Sequence, residues 1–211
     1  MLRRAGLIGD IHCESARLAR ALAHFHGLGV ETLFAVGDIA DGAGDLDETC
    51  ALLQKAGVVA VAGNHDRWLL GGEMRDLPHA TDIRDLSEAT VDYLSGLPRT
   101  RTFRSRRGAV LLCHGLGHDD MGELNPDDTG YALESNTSLW ALVESGETRF
   151  VINGHSHHVM CRTVEGLTVL NAGTLKPKHR SVCALADFED GYMQVWDINE
   201  DAIVPAERWD F

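Results

Sequence analysis

Basic residues are in short supply, with 19 Lys and Arg against 32 Asp and Glu and a formal net charge of -13. General nucleic-acid binding relies on basic surface to displace counterions from phosphates, so that class of partner is disfavoured, although a local basic groove stays open. No apolar run approaches the roughly 20 residues of a membrane helix. Arg3-Arg4 is followed by an apolar stretch that ends at Ile8, far short of a signal-peptide core, so a cytoplasmic location is expected. The five cysteines are odd in number and contain no Cys-x-x-Cys pair, which leaves neither a disulfide framework nor a structural zinc site. No Pro-, Ser- or Gly-rich tract divides the chain, and residues 1–211 are read as one domain.

What is present is organised around Gly63-Asn64-His65-Asp66. The Val-rich run Val58 to Ala62 before it is too short for a helix and reads as a buried strand ending in a polar turn. A carboxamide, an imidazole and a carboxylate placed together there can supply a metal ligand, a proton donor and a partner that fixes the imidazole tautomer. Alone, the same four residues are also an ordinary surface turn. Whether other strands end in ligands decides between the two.

They do. Arg4 to Gly9 reads as a strand ending at Asp10-Ile11-His12, followed by a helix from Glu14 to His26 on the spacing of Leu18, Leu22 and Phe25. Thr32 to Val36 is a second strand ending at Gly37-Asp38, with a helix marked by Leu46, Cys50 and Leu53 before the strand at Val58. This alternation predicts a parallel sheet with right-handed crossovers, which brings the three termini to one edge. Ser87 to Leu94 reads as a helix capped by Ser87. Thr100 to Ser105 and Ala109 to Cys113 read as strands, the second running into His114. Gly115 to Ser135 is an acidic loop or lid, and a helix from Asn136 to Glu144 follows. Phe150 to Asn153 ends in Gly154-His155-Ser156-His157-His158. Short strand-like runs from Val159 to Ile198 suggest an antiparallel portion in a second, packed sheet.

Asp10, His12, Asp38, Asn64, His65, Asp66, His114, His155 and His157 thus stand at strand ends, all nitrogen and oxygen donors without a thiolate. The set exceeds what one tetrahedral zinc needs and suits two cations sharing a bridging carboxylate, a pairing that ionises water near neutral pH.

The five blocks Gly9-Asp10-Ile11-His12, Gly37-Asp38, Gly63 to Asp66, His114 and Gly154-His155-Ser156-His157 resemble the calcineurin-like metallophosphoesterase superfamily. The turn Asn171-Ala172-Gly173-Thr174 is most similar to the small bacterial and archaeal phosphodiesterase branch, which more often has Asn-Pro-Gly-Ser there. The resemblance implies an α/β fold in a four-layer α/β/β/α sandwich. It implies that Asp10, His12 and His157 hold one metal, that Asn64, His114 and His155 hold the other, and that Asp38 bridges them. It further implies His65 as the group that stabilises or protonates the departing oxygen, with Asp66 orienting it. The expected activity is hydrolysis of a small phosphate ester, favouring diesters, by in-line attack of a metal-bridging hydroxide. Two divalent ions are expected, manganese before iron-manganese or zinc. A homodimer is common in the branch.

Arg67, Lys176 and Arg180 are candidate substrate contacts, with solvated surface charges as the plain alternative. His158 should point away from His157 along a strand and play a structural part. His24, His26, His79 and His118 have no partner block and read as surface residues. Rival activities are a serine/threonine-type protein phosphatase or phosphomonoesterase, disfavoured because Ile39 to Gly44 carries no cation, a DNA nuclease, and a non-catalytic scaffold, disfavoured because no ligand histidine is missing.

Overall fold

Successive side chains of a strand point to opposite faces, and in the central strands of this chain both sets are apolar, so each sheet must be covered twice. The computed structural model describes residues 1–211. Strands β1 (Arg4–Ile8), β2 (Leu33–Ala35) and β3 (Val59–Ala60) run parallel, with Gly6 beside Leu33 and Phe34 beside Val59. Helices α1 (Ser15–Gly27) and α2 (Leu46–Lys55) make the two crossovers, the second capped by the Asp45 side chain on the Glu48 N–H. Helix α3 (Asn64–Gly71) starts at the third strand terminus itself, and α4 (Glu88–Ser95) is capped by Ser87.

The second sheet begins with the hairpin β4 (Thr100–Ser105) and β5 (Gly108–Cys113). The acidic stretch after it is largely irregular and holds only the short α5 (Tyr131–Glu134) before α6 (Thr137–Ser145), whose N-cap is Asn136. Strand β6 (Phe150–Asn153) lies parallel to β5, and β8 (Leu167–Asn171) lies parallel to β6 and antiparallel to β7 (Met160–Val164).

The last third departs from expectation. Strands β9 (Val182–Asp187), β10 (Tyr192–Ile198) and β11 (Ile203–Asp210) leave the second sheet and join the first, in the order β11-β10-β9-β1-β2-β3. Close spacing marks the hairpins correctly, but which sheet a hairpin joins depends on a partner far away in sequence: here Leu7 pairs with Ala184. Strand β11 gave no sequence signal because it is an edge strand, holds Pro205 and has no fully buried residue.

Three cores separate four layers. Ile8, Leu33 and Ala35 pack under Leu18 and Phe25 of α1 and Cys50 and Leu53 of α2. Leu7, Phe34 and Val36 face Val110, Leu112, Phe150 and Ile152 between the sheets. Leu111, Cys113, Val151 and Val169 lie beneath Leu139 of α6. Each fully buried Phe or Leu contributes about 1.5–3 kcal/mol relative to exposure, so this layering pins the strand ends that carry the polar residues. The α/β/β/α sandwich is the expected one.

Candidate metal centre

All five polar termini converge at one edge of the paired sheets. The ends are stitched to one another by backbone: the Ile11 and His12 N–H groups donate to Asp38 O at 2.9 and 2.8 Å, and Asp10 N–H donates to Gly173 O at 3.1 Å. Thr174 Oγ1 donates to Asp10 O at 2.8 Å, so the Asn171 to Thr174 turn braces the first terminus. His12, Asp38, His155 and His157 have φ of 48°, 46°, 67° and 59°, left-handed conformations that cost of order 1–3 kcal/mol each for such residues and persist only where the surroundings impose them. The glycines beside them are required by space. A Cβ on Gly63 would meet Asp38 Oδ1 at 2.2 Å and one on Gly154 would meet Asp10 Oδ1 at 2.1 Å.

The ligand atoms fall into two groups, Asp10, His12, Asp38 and His157 in one and Asp38, His114 and His155 in the other, the atoms of each lying within 4.8 Å of one another. Asp38 belongs to both. Asn64 Oδ1 completes the second, 2.9 Å from His114 Nε2 and 3.1 Å from His155 Nδ1. The structure thus brings together the same side chains that the resemblance assigns to two groups.

Ring orientation supports metal binding. His12 Nδ1 faces the carbonyls of Ala40 and Asp41 at 3.1 and 3.0 Å, and His114 Nδ1 faces Val36 O at 2.9 Å. Carbonyls only accept, so Nδ1 carries a proton in both rings, and once Nε2 is deprotonated its lone pair points inward, the tautomer a metal-ligating imidazole needs. His12 Nε2 lies 3.3 Å from His157 Nε2, which is 2.9 Å from Asp10 Oδ2. Burial pushes the His12 pKa down to about 4, keeping that ring neutral. Burial opposes a charge on His114 too, but Asp38 and Asp10 overcome it and hold that pKa up at about 10, a measure of how strongly this corner attracts positive charge. The residues present therefore fit a pair of divalent cations.

His65 stands beside these groups and outside them. Its Nε2 edge looks toward Asp38 Oδ2 at 4.0 Å, and its ring lies between those of His12 and Trp68, at 4.9 and 4.8 Å. Its orienting partner differs from the expected one. His65 Nδ1 donates to Asp41 Oδ2 at 2.7 Å, whereas Asp66 points the other way and accepts from the backbone N–H groups of Ile39, Ala40 and Gly63 at 2.9, 3.0 and 2.9 Å. Asp66 sits at the third residue of α3, where its side chain turns back to the helix start and ties the Asp38 loop to it. Burial and Asp38 push its pKa up, to about 6, against the pull of those N–H donors.

Asp41 was the residue sequence reading missed. It lies three positions after Asp38, in a loop whose Gly and Asp residues read as turn formers. The loop itself has no cation, but Arg75, 34 residues on, places Nη1 and Nη2 on Asp41 Oδ1 and Oδ2 at 2.9 and 2.8 Å. Burial opposes ionisation of Asp41, and the hydrogen bonds from His65, Arg75 and Thr81 prevail, holding its carboxyl well below the usual range.

The three candidate substrate cations separate. Arg67 is tied to Asp120 of the acidic loop at 2.7 and 3.1 Å and to Glu73 at 3.1 Å. Arg180 is held by Asp197 and Glu207 at 2.6 Å, on the first sheet's antiparallel strands. Both guanidiniums are engaged by carboxylates. Lys176 is half-buried, and burial lowers its pKa against the opposing pull of Asp38, Asp10 and Asp41. His179 stacks edge-on to His157 at 4.7 Å, a neighbour that sequence position alone did not reveal. His158 lies in a loop and not on a strand, exposed, with Nδ1 3.2 Å from Asn125 Oδ1. His24 is half-buried against Trp196, while His26, His79 and His118 are exposed as expected. All five cysteines are free, and burial pushes the thiols up, Cys13, Cys113 and Cys183 to about 12 and Cys161 to about 11.

The chain belongs to the calcineurin-like phosphoesterase superfamily: the model of that superfamily's domain matches residues 4–191, nearly the whole length. Enzymes of this family are metal-dependent phosphoric ester hydrolases, in keeping with the Asp and His cluster. Among solved structures it is similar to PH1004 from Pyrococcus horikoshii, with TM-score 0.72 and 16% identity over 95% of this chain and 89% of that one. It is similar to the phosphoesterase YfcE from E. coli, with TM-score 0.60 and 16% identity over 98% of both chains. It is also similar to an archaeal phosphodiesterase, with TM-score 0.59 and 16% identity over 92% of this chain and 99% of that one. These likenesses concern the fold. No curated protein matches the chain. No helix is long and apolar enough to cross a membrane.

Proposed function

We propose that this protein is a two-metal phosphodiesterase acting on a small phosphate diester, with manganese as the preferred ion. The observation that carries the reading is the sharing of Asp38 between two ligand groups directly beside His65. Two divalent cations held by Asp10, His12, His157, Asn64, His114, His155 and Asp38 would supply charge neutralisation for phosphate and an acidified water. The protein's own part is positional. His65, fixed by Asp41 through its Nδ1–H, presents Nε2 to the reacting side, where a second proton, carried on Nε2, passes to the departing alcohol. Lys176 offsets phosphate charge. The preference for a diester is supported by the tying up of Arg67 and Arg180, since a singly charged diester asks for fewer cationic contacts than a dianionic monoester. A relative of the same fold being a phosphodiesterase agrees with this. The imidazoles suit iron and zinc while the carboxylates and the Asn64 carbonyl suit manganese, so the metal is assigned by the assay below. The five free thiols, four of them buried, support a reducing, cytoplasmic setting.

The test is metal content together with hydrolysis of bis-p-nitrophenyl phosphate and p-nitrophenyl phosphate, with manganese, zinc or no added metal. Two metals per chain and manganese-dependent diester cleavage are expected. Cleavage of the monoester alone would replace this reading by a phosphatase, and a chain that neither binds metal nor cleaves either ester would end it.

A further inference from the structure

We propose that Arg75 is a positioning residue for His65, acting through Asp41, and that the segment from Gly72 to Asp82 is thereby part of the active site. The proposal rests on the reading of His65 as the proton donor.

Asp41 is buried, its side chain 1% exposed, and its two oxygens accept four hydrogen bonds. Oδ2 takes His65 Nδ1 at 2.7 Å and Arg75 Nη2 at 2.8 Å, while Oδ1 takes Arg75 Nη1 at 2.9 Å and the Thr81 N–H at 2.9 Å. The guanidinium thus grips both oxygens in a plane and leaves the carboxylate one rotational setting, the one that meets His65. Without it, Asp41 would keep a single backbone donor on Oδ1 and could turn about its Cβ–Cγ bond, releasing His65 to rotate as well.

Donor counting separates this role from a grip on substrate. Of the five N–H groups of Arg75, Nε donates to Glu73 O at 2.6 Å, Nη1 to Asp41 Oδ1 and to Thr81 O at 3.1 Å, and Nη2 to Asp41 Oδ2. One remains. A phosphate clamp would need to break the pair with a buried carboxylate to become available, so the cation belongs to Asp41. The segment that carries it is held in shape by the same contacts: Thr81 returns Oγ1 to Asp41 N at 3.3 Å, and Glu73 also receives Arg67.

Two variants and two readouts test this. In Arg75→Ala with full metal content, kcat on bis-p-nitrophenyl phosphate should fall about 10–100-fold, the usual effect of losing an outer partner, with KM within about twofold. Arg75→Lys should retain part of the rate, and added guanidinium ion should restore part of it to Arg75→Ala. A rise in KM at unchanged kcat would make Arg75 a substrate contact and overturn the proposal, as would an unchanged kcat. The second readout needs no turnover. In metal-free protein, the nitrogen-15 NMR signals of His65 should report a proton fixed on Nδ1 in the wild type and a mixture of tautomers in Arg75→Ala or Arg75→Lys. Identical tautomer populations in all three would refute the positioning role, while a wild type inactive on every ester with the NMR shift present would count against the assigned activity alone. If Arg75→Ala does not fold, Arg75→Lys carries both readouts.

Discussion

Replacing Asp66 by alanine would strip three backbone N–H groups of their acceptor in one step. Asp66 is fully buried, with Oδ1 accepting from Ile39 and Ala40 and Oδ2 from Gly63. Each buried donor left unpaired costs about 1–3 kcal/mol, and loop relaxation plus relief of repulsion with Asp38 offsets part of the total, so about 3–5 kcal/mol is expected for Asp66→Ala. Asp66→Asn makes a sharper test. Its carbonyl oxygen can keep the Ile39 and Ala40 bonds while its amide faces the Gly63 donor, so one bond is lost and about 1–3 kcal/mol should follow. Urea unfolding of chelator-treated protein at neutral pH measures both without the metals holding the same termini together. A ranking of wild type, then Asn, then Ala, at these intervals supports a structural clamp. Wild-type stability in Asp66→Ala would refute the clamp, and a selective loss of kcat at unchanged stability would return Asp66 to the role of orienting His65.

The shared position of Asp38 predicts that Asp38→Asn loses both metals, and metal content equal to wild type would contradict it. His65→Ala should retain both metals while turnover falls by roughly 100-fold, the scale of a lost general acid, and full activity would remove His65 from the chemistry. Gly154→Ala should displace Asp10, because the new Cβ lies 2.1 Å from its Oδ1, and so lower metal content, whereas Gly27→Ala, with nothing within 4 Å, should leave it unchanged. Chelation should lower Tm by about 10–20 °C, from about 2.7 kcal/mol of linkage for each of two sites at a hundredfold excess of metal over Kd and about 2–4 °C per kcal/mol for a chain of this size. An unchanged Tm would mean that the cluster holds no metal in solution.

The ligand set was legible because each ligand follows a short Val-, Leu- or Ile-rich run, and a parallel sheet brings such termini to one edge whatever the details of packing. Strand order alone brings Asp10, His12, Asp38 and Asn64 to one edge, while joining His114, His155 and His157 to them rested on the resemblance to the superfamily. The Gly residues of the blocks were visible as letters, but their reason, a Cβ colliding with Asp38 or Asp10, is a fact of close approach in space.

Contacts between side chains from distant segments were decided by tertiary structure alone. Asp66 adjoins His65 in sequence, yet on a helix neighbouring side chains diverge, so Asp66 turned to the backbone and Asp41, 24 residues back, took the imidazole. Arg75 reached Asp41 from a segment with no periodic signal, and Arg67 and Arg180 met carboxylates whose proximity no local pattern encodes. The same reason sent β9 to β11 to the first sheet: pairing Leu7 with Ala184 is a long-range choice made by the two apolar faces β1 must cover. Local hydrophobic pattern and turn chemistry determined most of the strands and their polar ends, while the partners that hold Asp41, Asp66, Arg67 and Arg180 followed from which loops the layered cores bring together.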